Sequence, residues 1–363
     1  MLTVIREYAA DRLDASGKRD LLETTHASVY LAITERAAAH LLGRERKRWL
    51  NVLTADHDNL RAALACFIDH GRTKEALQMV SAQWRFWQIK GHTYEARLRI
   101  DAALALEGVS PALRAKAIEA SGGIAWWQGD LLRASREYAE ALELQRGAGD
   151  PAELANALYN FGIAYAFAGA MIGEGAVGEG ERAMVEAEEI FRRLGDKRGL
   201  GDVHWGMGNV ALFAKNDPSG SLGLFEASVK EYAAAESVFG EGWAHFEVGQ
   251  ALLQLERPDE ANTALKKGLE LMYDSGDESA AVLFVIMIGA VRLVQGERER
   301  AYRLAGAAWA LRDRSGLDII SIPENTTEGL DRATLEALTG ADAAAYREGL
   351  TLTTPQAVAL ALE

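Results

Sequence analysis

Five glycines recur at intervals that leave few architectures open to this chain. Gly122, Gly162, Gly208, Gly249 and Gly289 each stand near the middle of an apolar helical stretch, separated by 40, 46, 41 and 40 residues. A second small residue follows each of them. These are Ala134, Gly180, Ser221, Ala261 and Ala301, at offsets of 12, 18, 13, 12 and 12. Polar turns lie between the two, such as "QGD" at 128–130, "KNDPSG" at 215–220, "ERPDE" at 256–260 and "QGERE" at 295–299. Gly149-Asp150, Gly195-Asp196 and Gly276-Asp277 announce the next unit. Glycine can end a helix in the left-handed conformation, and aspartate can cap the one that follows.

The unit is a helix–turn–helix hairpin. Small residues at fixed places let its two helices approach closely, while Leu142, Phe225 and Leu265 fill the seam. One hairpin cannot bury its apolar face alone, so neighbours stack into a solenoid. Abundant alanine and only 6 prolines in 363 residues favour helix throughout. The expected fold is all-α, a right-handed α-solenoid of helical hairpins. Residues 71–316 are expected to form the array and 1–70 a helical region of linker or degenerate repeats. Residues 317–363, with two short helices, are expected to cap the last exposed apolar face.

One stretch suggests a different reading. "GEGAVGEG", Gly173–Gly180, contains G-x-G-x-x-G, the spacing of a dinucleotide fingerprint. That fingerprint must follow a β-strand and open a helix, so that phosphate meets free N–H groups. Here "ANALYNFGIAYAFAG", an apolar helix, precedes it, and Glu174 and Glu179 would set negative charge beside a pyrophosphate. It is read instead as about six extra residues in one hairpin turn, a flexible insertion beside the groove.

Charge and motifs exclude several functions. Asp+Glu number 53 against 39 Lys+Arg, a net charge of −14 that repels phosphate backbones, so direct nucleic-acid binding is not expected. The lone cysteine, Cys66, can form neither an internal disulfide nor a thiolate metal site, and suits a small buried hydrophobe. The longest apolar run, Ala280 to Val291, is too short to span a membrane, and the first residues hold no apolar signal core. A cytoplasmic location is expected. The seven histidines form no H-E-x-x-H; His57 in "ADHDN" has acidic neighbours but nothing at metal spacing. No G-x-S-x-G occurs either. No catalytic residue, metal or cofactor is expected, and the chain is read as not an enzyme.

The candidate binding residues lie on the first helix of each hairpin, the helices that line the concave face of such arrays. Three residues before the repeat glycine stand Tyr159, Trp205 and Phe246 in consecutive units. Asn160, Asn209, Glu247 and Gln250 share those faces, and Trp126 and Trp127 sit on the equivalent helix one unit earlier. Arg85 and Gln88, in "WRFWQ", extend the set to the helix before. Aromatic faces mixed with amides and a carboxylate suit a peptide, a protein segment or a small-molecule effector. Aromatics at helical spacing more often serve as packing between helices, so the row is either a groove or a core.

The pattern resembles tetratricopeptide repeats, most closely in Gly122, Ala134, Tyr138 and Ala141, and its period resembles the longer-helix version of bacterial regulators. "ADHDNLRAAL" followed by "WRFWQIKGHTYEARLRIDAAL" resembles the region after the nucleotide-binding module of bacterial signal-transduction ATPases with tetratricopeptide tails. "MLTVIREYAADRL" is similar to the last helix of their winged-helix segment. "AYRLAGAAWALRDRSG" and "AAYREGLTLTTPQAVALALE" are similar to their chain end. That family includes many transcriptional regulators, and its ATPase core is absent here, with no G-x-x-x-x-G-K-[ST] in the chain. The resemblance implies a non-catalytic sensor and protein-interaction tail, with a regulator domain in the same polypeptide as a further partner. The alternative is a free-standing adaptor that binds a peptide.

Overall fold

The computed structural model describes Tyr8, residues 11–315 and residues 329–363; for 278, 279 and 315 only the backbone is described. The segment similar to a winged-helix end lies largely outside these residues, as does the start of the expected cap. No strand occurs among the described residues. The chain opens with α1 (Arg19–Ala38), α2 (Arg46–Ala55) and α3 (His57–Asp69). Hairpins then follow in order. They pair α4 (Thr73–Ile89) with α5 (Thr93–Leu104), α6 (Pro111–Trp127) with α7 (Leu131–Arg146), and α8 (Pro151–Phe167) with α10 (Ala176–Leu194), after a single turn α9 (Gly169–Ile172). Next come α11 (Lys197–Asn209) with α12 (Pro218–Ala234), α13 (Val238–Gln254) with α14 (Pro258–Asp274), and α15 (Glu278–Val294) with α16 (Arg298–Ser315).

Local chemistry sets these boundaries. Gly149, Gly195 and Gly276 are left-handed, with φ of +79°, +69° and +84°. The aspartate after each caps the next helix: Asp150 accepts from Ala152 N, Asp196 from Gly199 N and Asp277 from Ala280 N. Within hairpins the repeat glycines face the second helix. A Cβ on Gly208 would lie 2.6 Å from the Phe225 ring, and one on Gly249 would lie 2.5 Å from Leu265. Phe225 and Leu265 are fully buried, each worth ~1.5–3 kcal/mol by removal of apolar surface from water.

Two units depart from the period, and each spends its surplus differently. Between Gly208 and Ser221 there is one residue more than in regular units. It is absorbed as a π-turn over Val210–Ala214, where Lys215 N–H reaches back five residues to Val210 O at 3.1 Å. The longer surplus after Gly162 is not the flexible turn expected of it. Gly173 and Gly175, at φ +129° and +91°, make a short bend, and Ala176–Gly180 already belong to α10. Gly180 is buried at the closest crossing of α8 and α10, where a Cβ would lie 2.4 Å from Gly162 O. Ala176 is buried and Val177 packs on the apolar cluster between these helices, both lying close to Gly169.

Two glycines of this stretch should respond oppositely to the same substitution. Gly180→Ala must push the backbones of α8 and α10 apart and is expected to cost ~1–3 kcal/mol. Gly178→Ala, whose Cβ would meet only the Arg182 guanidinium at 3.7 Å, should stabilise by up to ~1 kcal/mol through helix propensity. Urea midpoints of the two variants test this, and a shared sign would refute the crossing.

At the far end, α17 (Arg332–Glu336), α18 (Gly340–Leu350) and α19 (Thr354–Leu362) cover the last hairpin, three short helices among the described residues where two were expected. A Cβ on Gly306 of α16 would lie 2.2 Å from Tyr346 O, so α16 and α18 touch backbone to backbone.

The array also closes on itself. The corner between α1 and α2 reaches the α12–α13 and α14–α15 turns, far later in the chain. Phe239 N donates to Leu42 O at 3.2 Å. The fully buried Arg46 donates through Nη2 to Asp277 Oδ2 at 2.6 Å and through Nη1 to Ser275 Oγ at 3.2 Å. Its guanidinium also lies 4.9 Å from the centre of the Phe239 ring.

Candidate functional site

Closure turns the concave face into the wall of a cavity of about 690 Å³. First helices of successive hairpins supply most of the lining. Relative to the repeat glycine, the residues three before it, Glu119, Tyr159, Trp205 and Phe246, all face the cavity. So do those six before it, Asn156, Asp202, Trp243 and Leu283. Residues one after it (Ile163, Asn209, Gln250) and ten before it (Arg198, Phe239) continue the same face, as the 3.6-residue period requires. Arg85 comes from α4, Tyr138 and Tyr232 from second helices, and Ala38, Ala39 and Leu42 from the closing corner.

Of the residues singled out by sequence, Arg85, Trp126, Trp127, Tyr159, Asn160, Trp205, Asn209, Phe246, Glu247 and Gln250 meet around this one space. Gln88 does not. It sits in the last turn of α4, beyond Ser81 and Arg85, which mark where that helix borders the cavity. The choice between groove and core does not divide the row. Phe246 borders the cavity and also packs edge-on against Phe284, 5.0 Å between centres, within the main apolar cluster. Trp205 and Tyr159 are only half-buried. Asp202, Trp243, Asn156 and Glu119 were missed by sequence reasoning, although the register that found the aromatic row also marks them. Arg198 and Phe239, ten before the repeat glycine, lie in that register too; the corner residues carry no comparable signal.

The cavity has two chemically distinct regions. The apolar one is a chain of rings: Phe239 lies 6.3 Å from Trp243, which lies 6.0 Å from Trp127 on the opposite side and 5.6 Å from Phe246. The indole Nε1 atoms of Trp205 and Trp243 are buried without a hydrogen-bond partner among the described residues, as is Gln250 Oε1. Glu247 accepts from Gln250 Nε2 at 2.9 Å, and burial pushes its carboxyl up to about 8.

The polar region centres on Asp202 and Arg85. Asp202 accepts from Tyr232 Oη at 2.6 Å and pairs with Arg198 at 3.1 Å. Burial still raises the Asp202 carboxyl, opposed by the Arg198 charge. Arg85 stacks on Trp84, 3.9 Å from the ring centre, with Phe239 at 5.8 Å. No carboxylate among the described residues lies within ion-pair distance of it. Burial lowers its pKa, while the phenols of Tyr138 and Tyr159, within its field, are raised by their own burial. Glu119, also in the lining, is pushed up to about 7 by burial and by Glu153. Among the described residues no group of three His, Cys, Asp or Glu side chains could hold a metal ion. None of their helices is long and apolar enough to cross a membrane.

Fold and site together define a class: a solenoid of helical hairpins closed around a ligand-sized, aromatic-walled cavity. No family model matches the chain. Proteins provisionally named HTH-type transcriptional regulators, from Mycobacterium tuberculosis and Mycobacterium bovis, are 27% identical to it over 237 residues, or 60% of this chain. The chain spans 25% of the length of those relatives. The crystal structure of a Rap protein complexed with competence and sporulation factor matches with a TM-score of 0.56 at 12% identity. That match covers 83% of this chain and 78% of the other, and at such identity the likeness is one of fold.

Proposed function

We propose that this chain is the non-catalytic sensing module of a bacterial transcriptional regulator, and that it holds an effector inside the closed array. The observation that carries the reading is the cavity itself. Packed cores leave few voids larger than a water molecule and few unpaired buried polar groups. Here about 690 Å³ is bordered by aromatic rings, with two indole N–H groups and an amide oxygen unpartnered among the described residues. That volume lies within the ~300–1,000 Å³ of small-ligand sites. The regulators matched over 60% of this chain, and a shared fold with a Rap protein solved in complex with a factor, support a binding and regulatory role.

The mechanism is differential binding. A ligand that touches both the repeats and the closing corner binds only the closed arrangement and shifts the population towards it. In a longer polypeptide, that shift is what a neighbouring regulator domain would read. A cytoplasmic setting belongs to the same reading.

A thermal-shift screen over sugars, amino acids, organic acids and short peptides tests it, because a ligand of the folded state raises Tm by mass action. Trp205→Ala is expected to abolish the shift of any hit while leaving the far-UV circular dichroism unchanged. Loss of helicity in that variant would show instead that the indole is core. A screen without a single stabilising compound would count against a small-molecule sensor.

A further inference from the structure

We propose that the cavity selects a ligand carrying one carboxylate on a flat apolar body, the carboxylate bound by Arg85 with the Tyr138 and Tyr159 hydroxyls and the flat body lying along Phe239, Trp243 and Trp127. This rests on the cavity being a ligand site and adds the chemistry of what enters it.

Three observations support an anion at this end. Arg85 faces the cavity, held over the Trp84 ring and near Phe239, with no carboxylate in ion-pair range among the described residues. A guanidinium held in this way presents a fixed fork that matches a carboxylate in two hydrogen bonds. The carboxylate whose charge acts on it, Asp202, is already engaged by Arg198 and the Tyr232 hydroxyl. Tyr138 and Tyr159, which share the field of Arg85 and border the cavity, make no hydrogen bond through their hydroxyls among the described residues. Both phenols stay protonated, since burial raises their pKa further, so they can only donate to an anion or accept from a donor.

Charge counting favours a monoanion. Arg85 and Arg198 supply two positive charges and Asp202 one negative. Glu247, pushed up to about 8, is mostly neutral at pH 7, and Glu119, pushed up to about 7, is half so. The surplus is about half a cation at pH 7 and about one with Glu119 protonated, which suits a carboxylate and is too little for a phosphate dianion. The flat body follows from the ring chain. Phe239 lies beside Arg85, and Trp243 and Trp127 follow at about 6 Å steps, a run with the dimensions of an aromatic side chain or a fused ring.

This chemistry has two sources, a free aromatic acid or the C-terminus of a short peptide ending in an aromatic residue. Isothermal titration with indole-3-acetate, its neutral amide, the peptide Gly-Gly-Trp and the amidated peptide separates them. At least one acid is expected to bind tenfold or more tightly than its own amide, and the tighter acid names the source. Arg85→Gln should erase that preference, Arg85→Lys should keep some of it, and Trp243→Ala should weaken acid and amide alike. Circular dichroism and melting of each variant check folding, and the wild-type comparison of acid with amide needs no variant. Equal binding of acid and amide, or an unchanged preference in Arg85→Gln, overturns the carboxylate while leaving the cavity a ligand site. If no probe binds at millimolar concentration, the carboxylate assignment fails; the cavity reading fails only if the broader screen is also empty.

Discussion

Replacing Arg46 with alanine is expected to lower the stability of this chain by ~3–5 kcal/mol, the cost typical of removing one partner from a buried ion pair. The loss has several components. Arg46 is fully buried, holds Asp277 at 2.6 Å and Ser275 at 3.2 Å, and lies on Phe239. Without it, the Asp277 carboxylate is left buried, with its helix-capping bond to Ala280 N intact. Asp277→Asn should therefore cost less than Asp277→Ala, since asparagine still caps. A double-mutant cycle of Arg46→Ala with Asp277→Asn, read by urea denaturation, is expected to show a coupling of ~1–3 kcal/mol. Additive effects would mean that the pair does not act as a unit. The exposed Arg44–Glu236 pair at 3.4 Å, close by, is a built-in control; its removal should change stability by less than ~1 kcal/mol.

The second large effect depends on pH. Glu247 is 6% exposed and its carboxyl is raised to about 8 by burial, whereas in the unfolded chain it titrates near ~4.3. Below ~4.3 both states carry the proton and the shift has no effect on pH dependence. Between ~4.3 and 8 the folded state holds a proton that the unfolded state has released. Stability at this site therefore falls as pH rises through that window and levels off above it. At ~1.4 kcal/mol per unit, the full shift would amount to ~5 kcal/mol. Relaxation around a buried charge removes much of such a penalty, so an effect of ~1–2 kcal/mol at pH 8 is the expectation. Glu247→Gln keeps an acceptor for Gln250 and cannot ionise. It should match the wild type near pH 4 and exceed it in urea midpoint at pH 8. A difference that does not change with pH would refute the assignment, and other titrating groups, Glu119 among them, cancel in the comparison.

What could be read from the sequence was what lies close together along the chain. Caps, turns and the approach of Gly208 to Phe225 involve neighbours within about twenty residues, and they match the repeat spacing. The face of the cavity was also legible, because one helical register selects Tyr159, Trp205 and Phe246. The same register carried Asp202 and Trp243 unnoticed, since a search for aromatic rows looks at one position instead of the whole face. Gln88 was assigned to the face by proximity to Arg85, and the end of α4 put it outside. "GEGAVGEG" was read as a loop from its glycines, yet Gly178 and Gly180 lie within α10, and Gly180 serves close packing. The closure was not legible at all. Arg46 and Asp277 are 231 residues apart, and each looks in sequence like an ordinary charged residue at a helix start.

That closure changes how the chain must fold. An open solenoid is nearly one-dimensional, each unit touching only its neighbours, so folding can start anywhere and its ends can fray independently. Joining the first corner to the α14–α15 turn adds contacts of very long sequence separation, which form late because loop-closure entropy must be met before they give anything back. Within the closed stretch, from α1 to the α14–α15 turn, neither end is independent. Fraying at α1 exposes the Phe239 and Asp277 contacts, and loosening at the α14–α15 turn frees α1. The stretch from α1 to the α14–α15 turn is therefore expected to unfold as one cooperative unit, as a globular domain does.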